Sequence, residues 1–474
     1  MNTFGAQQIT IIVSIVIAYI LVTLGISIWT QKFTKNNDQF MTGGGKLPAL
    51  LLGILMVSEF IGTSATVGTA QVAFNSGLAA AWNMVTLSLG FLLFGRFMAP
   101  KFYELGDYTI SGAIARKYGN GTRRVTSLIM IYALITVNVA LYVGGAVAVA
   151  AVLKISISTA AFITAAVTII YVVSGGLRSV AYVNAVHFLF KYIGVIIVVV
   201  VGLKLAGGYG KITSGLPAFY FSPVGKVGMS TIIAWTVANI GAVFSTQMII
   251  QAVAGAERAS EAKKATYIAA VLIIPISIMA AFVGVEAHYI FPHIKDVLAF
   301  PIFILNMNPW LAGIVTVGVV ATVFANVSAT SLAITALLVK DFYVPFFKPT
   351  KDKQLFISRI MSIIVGLLPI PFVLYIPAIL KTMFFARALR ASISVIAICG
   401  FFLPLFSSGT GASIGLIAAA VGASVWFFMG NPLGIDSTYV AVLLPLLVML
   451  IDHLVHRKKR KNNDVVDSQQ NTPA

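Results

Sequence analysis

Residues 47–71 read Leu47-Pro48-Ala49-Leu50-Leu51-Leu52-Gly53-Ile54-Leu55-Met56-Val57-Ser58-Glu59-Phe60-Ile61-Gly62-Thr63-Ser64-Ala65-Thr66-Val67-Gly68-Thr69-Ala70-Gln71. The run from Leu47 to Val57 is apolar or small throughout. The whole stretch exceeds the roughly 20 residues a helix needs to cross a bilayer. Yet Glu59 stands near its middle, and Gly62 follows three residues later. A charged side chain at mid-membrane costs at least about 2.5 kcal/mol and marks a functional site by default. Gly62 and Gly68 let the helix open its backbone toward a cavity, where open backbone is tolerated at membrane depth. The other reading of Glu59 is a structural carboxyl satisfied between packed helices.

The composition fits that setting. Of 474 residues, 59% are hydrophobic and 10% charged, against roughly 25% charged in soluble domains. The formal charge of +18 invites a nucleic-acid reading, but the placement of the charges argues against one. Lys and Arg occupy short loops between apolar spans and a cluster, Arg457-Lys458-Lys459-Arg460-Lys461, as the positive-inside rule produces. The partner is the lipid bilayer, with no nucleic acid. The single cysteine, Cys399, lies in an apolar run, which leaves no disulfide or zinc framework. No cleavable leader is expected, because the first apolar segment (Ile9 to Trp29) is span-length and lacks a basic flank.

Span-length apolar runs predict an all-α integral membrane protein of thirteen helices. They fall roughly at 9–30, 48–76, 78–100, 124–153, 156–175, 181–206, 229–254, 264–291, 310–339, 356–376, 383–406, 410–430 and 434–454. An odd number puts the termini on opposite sides. One side, with its adjoining span ends, carries 23 Lys/Arg, the other carries 6, and 3 lie within spans. That sorting predicts a multi-pass cell-membrane protein with its N-terminus outside and its C-terminus in the cytoplasm. Residues 1–456 form one polytopic domain, followed at 457–474 by a basic and then polar cytoplasmic tail, disordered after Lys461. Ser111–Tyr118 and Ala256–Lys264 read as short interfacial helices.

The second span has a counterpart. The seventh, Trp235-Thr236-Val237-Ala238-Asn239-Ile240-Gly241-Ala242, is also interrupted near its middle. The two lie five spans apart, so they enter from opposite sides. Interrupted apolar segments at matching places in two halves point to a secondary-transporter binding site.

Several longer stretches carry a resemblance: Phe102-Tyr103-Glu104-Leu105-Gly106-Asp107-Tyr108-Thr109-Ile110 with Arg116-Lys117-Tyr118-Gly119, Gly175-Gly176-Leu177-Arg178-Ser179-Val180, Gln247-Met248-Ile249-Ile250-Gln251, Ser260-Glu261-Ala262-Lys263-Lys264, and Lys340-Asp341-Phe342-Tyr343. With Trp235 to Asn239 they resemble the sodium:solute symporter family, within the larger amino acid-polyamine-cation superfamily of LeuT-type fold. The resemblance implies two inverted five-helix repeats, about 48–206 and 229–406, with helices 2 and 7 broken. It also implies alternating access around a mid-membrane solute site. The ends of broken helices expose N–H and C=O groups that carry the macrodipole's partial charges.

In the family, sodium binds between the broken second span and the ninth. That places Val57 and Phe60 at its carbonyl positions and Thr322, Ala325 and Asn326 at those of the ninth, oxygen donors suited to a hard cation. The family usually has two adjacent hydroxyl residues where this chain has Ala325-Asn326; Ser328 and Thr330 lie one turn away. An aspartate typical after the Gly-Gly-Leu turn is replaced by Asn184, and Lys191 stands near mid-depth of the sixth span. Asn184, His187 and Lys191 share one helical face. Two couplings follow. One uses sodium, by resemblance. The other places the Lys191 ammonium, a movable point charge, in the ion site, with proton coupling or none. Lys191 also reads as a snorkelling residue or an ion-pair partner of Glu59. No cofactor is expected beyond Na+ or H+ as coupling ion.

By position, Ser58, Glu59, Thr63, Trp82, Asn83 and Asn239 line the solute site, with Trp82 equally readable as an interfacial anchor. Ala81 and Ile240-Gly241-Ala242 replace the acid and aromatics of the sugar-transporting branch, which disfavours a sugar. A small amino acid, amine or carboxylate fits better. Arg387 and Arg390 are placed near the outer side, as contacts to an anionic solute or lipid or as a cap. Glu286, His288 and His293 read as surface residues at an outer boundary. An intramembrane enzyme would need paired acids or a His-Glu metal motif, and none is present. A channel would need charged rings or a filter loop. A transporter-like membrane sensor is the remaining rival, disfavoured by the short tail. The oligomeric state is not legible.

Overall fold

The computed structural model describes residues 5–153, 155–372, 379–403 and 405–470. The end of the expected tenth span (373–376) and the last four residues of the tail lie outside the described residues. The principal helices are α1 (Ala6–Thr30), α2 (Ala49–Phe60), α3 (Thr69–Ser76), α4 (Trp82–Leu93), α5 (Ile110–Leu153), α6 (Ile157–Ala206), α7 (Met229–Ser245), α8 (Gln247–Ala254), α9 (Ala259–Ile290), α10 (Pro309–Leu337), α11 (Lys351–Leu367), α12 (Ile379–Phe402), α13 (Gly409–Phe428) and α14 (Ser437–Gln470). Among the described residues the only β feature is an isolated bridge between Leu47 and Ala256. A chain this apolar must satisfy its backbone internally, and helices do so within each segment.

Among the described residues, ten helices are long and apolar enough to cross a membrane, or twelve if each of two bent pairs counts as one span. Thirteen requires that α6 be divided. At 50 residues it would extend about 75 Å as one rod, more than twice the roughly 30 Å hydrocarbon core. Gly176 interrupts it with non-helical backbone (φ 55°, ψ −139°). A Cβ there would collide with the Phe40 carbonyl, so the turn and the close approach both require glycine. Gly119 (φ 84°) similarly sets the expected short helix at 111–118 apart from the rest of α5. The second expected interfacial helix is instead the start of α9. The tail expected to be disordered continues α14 as helix to Gln470.

Helix α10 sits at the centre. Every residue from Val315 to Leu337 is buried, its Thr, Ser and Asn side chains included, and it packs against α6, α5 and α1. Helix α2 packs on α9, α6 and α10. The α2–α3 pair bends by 61° and the α7–α8 pair by 42°. The second break lies at Thr246 (φ −58°, ψ 119°), beyond the expected 239–242. Gly241 serves close packing instead: a Cβ on it would stand 2.5 Å from that of Ala391. The hydroxyls do the opening, since those of Ser245 and Thr246 bond back to the carbonyls of Gly241 and Ala242 at 3.0 and 2.5 Å, a pattern that bends helices.

At one end of the bundle the family-like motifs converge. Asp341, buried, accepts from Arg123 Nε at 2.7 Å and from Ser111. Lys340 pairs with Asp107 and lies 3.7 Å from the centre of the Tyr108 ring. Gln247 accepts from the Ile110 N–H at 3.0 Å and donates to the Tyr108 carbonyl at 2.8 Å. Burial alone raises the Asp107 carboxyl, but the Lys340 charge and two hydrogen bonds from Thr109 outweigh it and hold it below the ordinary aspartate value. A depressed carboxylate contributes stability above its unfolded pKa and loses it as pH falls through the folded one. Thermal unfolding in detergent should therefore show stability falling away below about pH 4, and Asp107→Asn should lower the melting temperature at pH 7 and flatten that acid limb.

Candidate functional site

The break after α2 is made by hydrogen bonds. In a continuous helix the Gly62 N–H would bond the Ser58 carbonyl. Here it turns to the Phe60 carbonyl at 3.0 Å, and the ladder resumes only with Ala65 N–H on Gly62 and Gly68 N–H on Thr63, at 3.0 and 2.9 Å. The Ser58 carbonyl is released into the interior, where an unpaired acceptor is costly. Lys191 takes it. Its Nζ donates to that carbonyl at 3.0 Å and to Ser58 Oγ at 2.9 Å, from a side chain that is 1% exposed.

Most of the residues expected to hold sodium make a hydrogen bond within the protein, and each of those oxygens keeps a lone pair. The Val57 carbonyl accepts from Ile61 N–H at 3.1 Å and the Phe60 carbonyl from Gly62. Thr322 Oγ1 donates to the Val319 carbonyl at 2.6 Å, and the Ala325 carbonyl accepts from Ser328 Oγ at 3.0 Å. Asn326 is the exception: its Oδ1 is buried without a partner. It lies so close to the break that a Cβ on Gly62 would stand 2.5 Å from Asn326 Nδ2. Among the described residues no group of three or more His, Cys, Asp or Glu could hold a metal ion.

The polar face of α6 is fully buried. Asn184 Nδ2 donates to the Val180 carbonyl at 2.8 Å, leaving its Oδ1 without a partner. His187 Nδ1 shares a hydrogen bond with the Tyr19 hydroxyl, and His187 Nε2 has none. Glu59 does not pair with Lys191. Its Oε2 is buried without a hydrogen bond, and its charged neighbour is Arg390, with no ion pair between them among the described residues. Thr63 Oγ1, at the break, is likewise buried and unpartnered.

Asn83 and Asn239 come together through a residue placed elsewhere from the sequence. Arg387 Nη1 donates to Asn83 Oδ1 at 3.2 Å and to Asn239 Oδ1 at 3.0 Å. Asn239 Nδ2 donates to the Asn83 carbonyl at 2.7 Å and to Thr86 Oγ1 at 2.6 Å. One guanidinium thus ties α4, α7 and α12 together. One turn on, Arg390 Nη1 donates to Thr246 Oγ1 at 3.0 Å, at the second break. Arg387 and Arg390 are 3% and 4% exposed, so neither is an outer contact. Their spacing on an apolar helix was the available signal.

Trp82 is not brought to this group. It is partly exposed, and its Nε1 donates to the Pro223 carbonyl at 2.8 Å. Glu286 is not a surface residue. It is fully buried against Gly202 of α6, whose missing side chain makes room for the carboxylate, and both its oxygens lack partners. His288 is half-buried between the rings of Phe74 and Tyr220, and His293 is exposed.

The sequence model of the sodium:solute symporter family matches residues 40–422. The chain belongs to that family. The "Sodium/glucose cotransporter" of Vibrio parahaemolyticus is 22% identical over 372 residues, covering 70% of this chain and 68% of the relative. The "Sodium/proline symporter" of Escherichia coli (strain K12) is 22% identical over 375 residues, covering 74% of each. Among solved structures, a Na+-coupled sialic acid symporter in a substrate-bound outward-open state superposes with a TM-score of 0.81 at 16% identity, over 94% of this chain and 98% of that one. The fold is the LeuT type, and the chain is a multi-pass membrane protein of a solute-symporter family. Its relatives are transporters, in keeping with a chain that is not an enzyme.

Because Arg387 and Asn239 share a buried hydrogen bond, their contributions to stability should not be additive. A double-mutant cycle with Arg387→Met and Asn239→Leu, read by unfolding in detergent, should give an interaction energy of about 0.5–3 kcal/mol. An additive pair would show the contact to be idle.

Proposed function

We propose that this chain is a secondary active transporter that imports a small organic solute by alternating access, with the Lys191 ammonium in the place of the coupling cation. The observation that carries this reading is the Lys191 Nζ hydrogen bond to the carbonyl released by the α2 break. A sodium ion on the neighbouring Val57 and Phe60 carbonyls would stand beside that ammonium, and like charges repel strongly in a low-dielectric interior. Lysine can hold carbonyl oxygens as a cation and can also act as a base. Loss of its proton removes the charge from the break and weakens its hold on Ser58. In this reading the coupling ion is H+, and His187, one turn away with Nε2 free, is the adjacent titratable group.

Sodium coupling is the second reading. It is favoured by the unpartnered Asn326 Oδ1 beside Gly62 and by the family. In both readings residues 1–456 act as one transport domain in the cell membrane, with the N-terminus outside and the basic C-terminal segment in the cytoplasm. Ser58, Glu59, Thr63, Asn83 and Asn239 face the solute path.

Proteoliposome uptake separates the readings. The solute is chosen by thermal-shift screening of amino acids, amines and carboxylates with and without sodium. Under the lysine reading, uptake proceeds equally in sodium and potassium and is accelerated by an inward proton gradient. Lys191→Ala abolishes that acceleration. Strictly sodium-driven uptake that keeps its sodium dependence in Lys191→Ala overturns the lysine reading and leaves the sodium one. Glu59→Gln should slow uptake by about tenfold or more, the effect of roughly 1.4 kcal/mol, with the unfolding temperature unchanged.

A further inference from the structure

We infer that the transported solute bears a single carboxylate, received by the guanidinium pair Arg387 and Arg390; the inference rests on the transport reading above. Both side chains are at least nine-tenths buried, and arginine does not lose its proton in proteins. A buried charge without a counter-charge is costly. Neither arginine takes part in any of the ion pairs among the described residues. Their partners are neutral. Arg387 Nη1 rests on two asparagine oxygens, and its Nη2 reaches only Met84 Sδ at 3.9 Å. Arg390 Nη1 rests on a threonine hydroxyl, and its Nε is buried without a partner. Neutral oxygens satisfy hydrogen bonds but leave the charge in place.

The surrounding charges do not balance. Glu59 is the acid that interacts with Arg390, and its Oε2 is itself unpartnered. Setting one carboxylate against one guanidinium leaves Arg387 without a counter-charge. Lys191, bound to Ser58, adds a further positive charge when protonated. A buried site with this excess of positive charge is complementary to an anion. The guanidinium fork matches carboxylate geometry in a bidentate manner. The uncompensated guanidinium of Arg387 is met by one carboxylate, while the Lys191 charge is held at the α2 break by Ser58 rather than at the arginines. The rings of Phe384, 4.7 Å from the Arg387 guanidinium carbon, and Phe60, 6.0 Å from that of Arg390, are apolar surfaces suited to a short organic group. Helix α12 also packs against residues just past the α2–α3 break, where the unpartnered Thr63 hydroxyl is available to the same solute.

The test is thermal stabilisation of the purified full-length protein in detergent by propionate, lactate, pyruvate and benzoate. Controls are the matching amides, inorganic phosphate, choline and glucose. At least one carboxylate should raise the melting temperature while its amide does not. Arg387→Gln should weaken that response by about tenfold or more, equivalent to roughly 1.4 kcal/mol, and Arg387→Lys by less. The melting temperatures without solute establish that each variant is folded. Should Arg387→Gln not fold, Arg390→Gln takes its place with the same expectation. The assignment is overturned if no carboxylate stabilises the wild-type protein, if amide, phosphate, choline or glucose matches the carboxylate, or if a folded arginine-to-glutamine variant responds as the wild type does. Counterflow of the stabilising carboxylate in proteoliposomes separates the two claims: stabilisation without counterflow removes the transport reading and leaves the carboxylate site.

Discussion

The hydrogen bond from the Lys191 ammonium to the Ser58 carbonyl is the contact on which the rest of the site depends. A helix that opens inside a membrane must give its freed acceptors a partner or bear the cost of desolvation. Here the Gly62 N–H bonds the Phe60 carbonyl, Ser58 loses its helical donor, and a charged side chain from α6 replaces it. Because the donor is part of the chain, the freed Ser58 carbonyl has a partner within the protein.

Arginines on one helix reach both breaks. Arg387 ties Asn83 to Asn239, and Arg390 reaches Thr246 at the second break while interacting electrostatically with Glu59 at the first. A movement of α12 relative to α7 must therefore break or exchange charge-assisted hydrogen bonds in a dry interior, where they are strong. In the proposed transport cycle, α12 is a connection that a movement between α4 and α7 would have to break.

Much of this was legible in the sequence because membrane residues obey narrow rules. The apolar runs, the glycine beside Glu59 and the lysine in the sixth span each stand out against a background that tolerates few polar groups. The first break fell where Gly62 indicated. The second did not, because Gly241 serves close packing against Ala391 and the hydroxyls of Ser245 and Thr246 do the bending. Glu286 sits a few residues from a polar loop, so its sequence neighbourhood suggested a boundary; only the pairing of α9 with Gly202 buries it. Trp82 and Asn83 are adjacent in sequence yet face a loop carbonyl and the interior respectively, a divergence that follows from helical rotation. Arg387 and Arg390 were visible as a pair, but their partners lie roughly 140 to 300 residues away, beyond what spacing along the chain can reveal.

Equilibrium binding of radiolabelled sodium to the purified full-length protein tests the central claim most directly, because it reads the ion site without knowledge of the solute. With Lys191 bound to Ser58, the wild-type protein should show no saturable sodium binding, whether or not a solute is present. Saturable binding of one sodium ion per wild-type chain, unchanged in Lys191→Ala, would contradict the assignment of Lys191 to the cation's place.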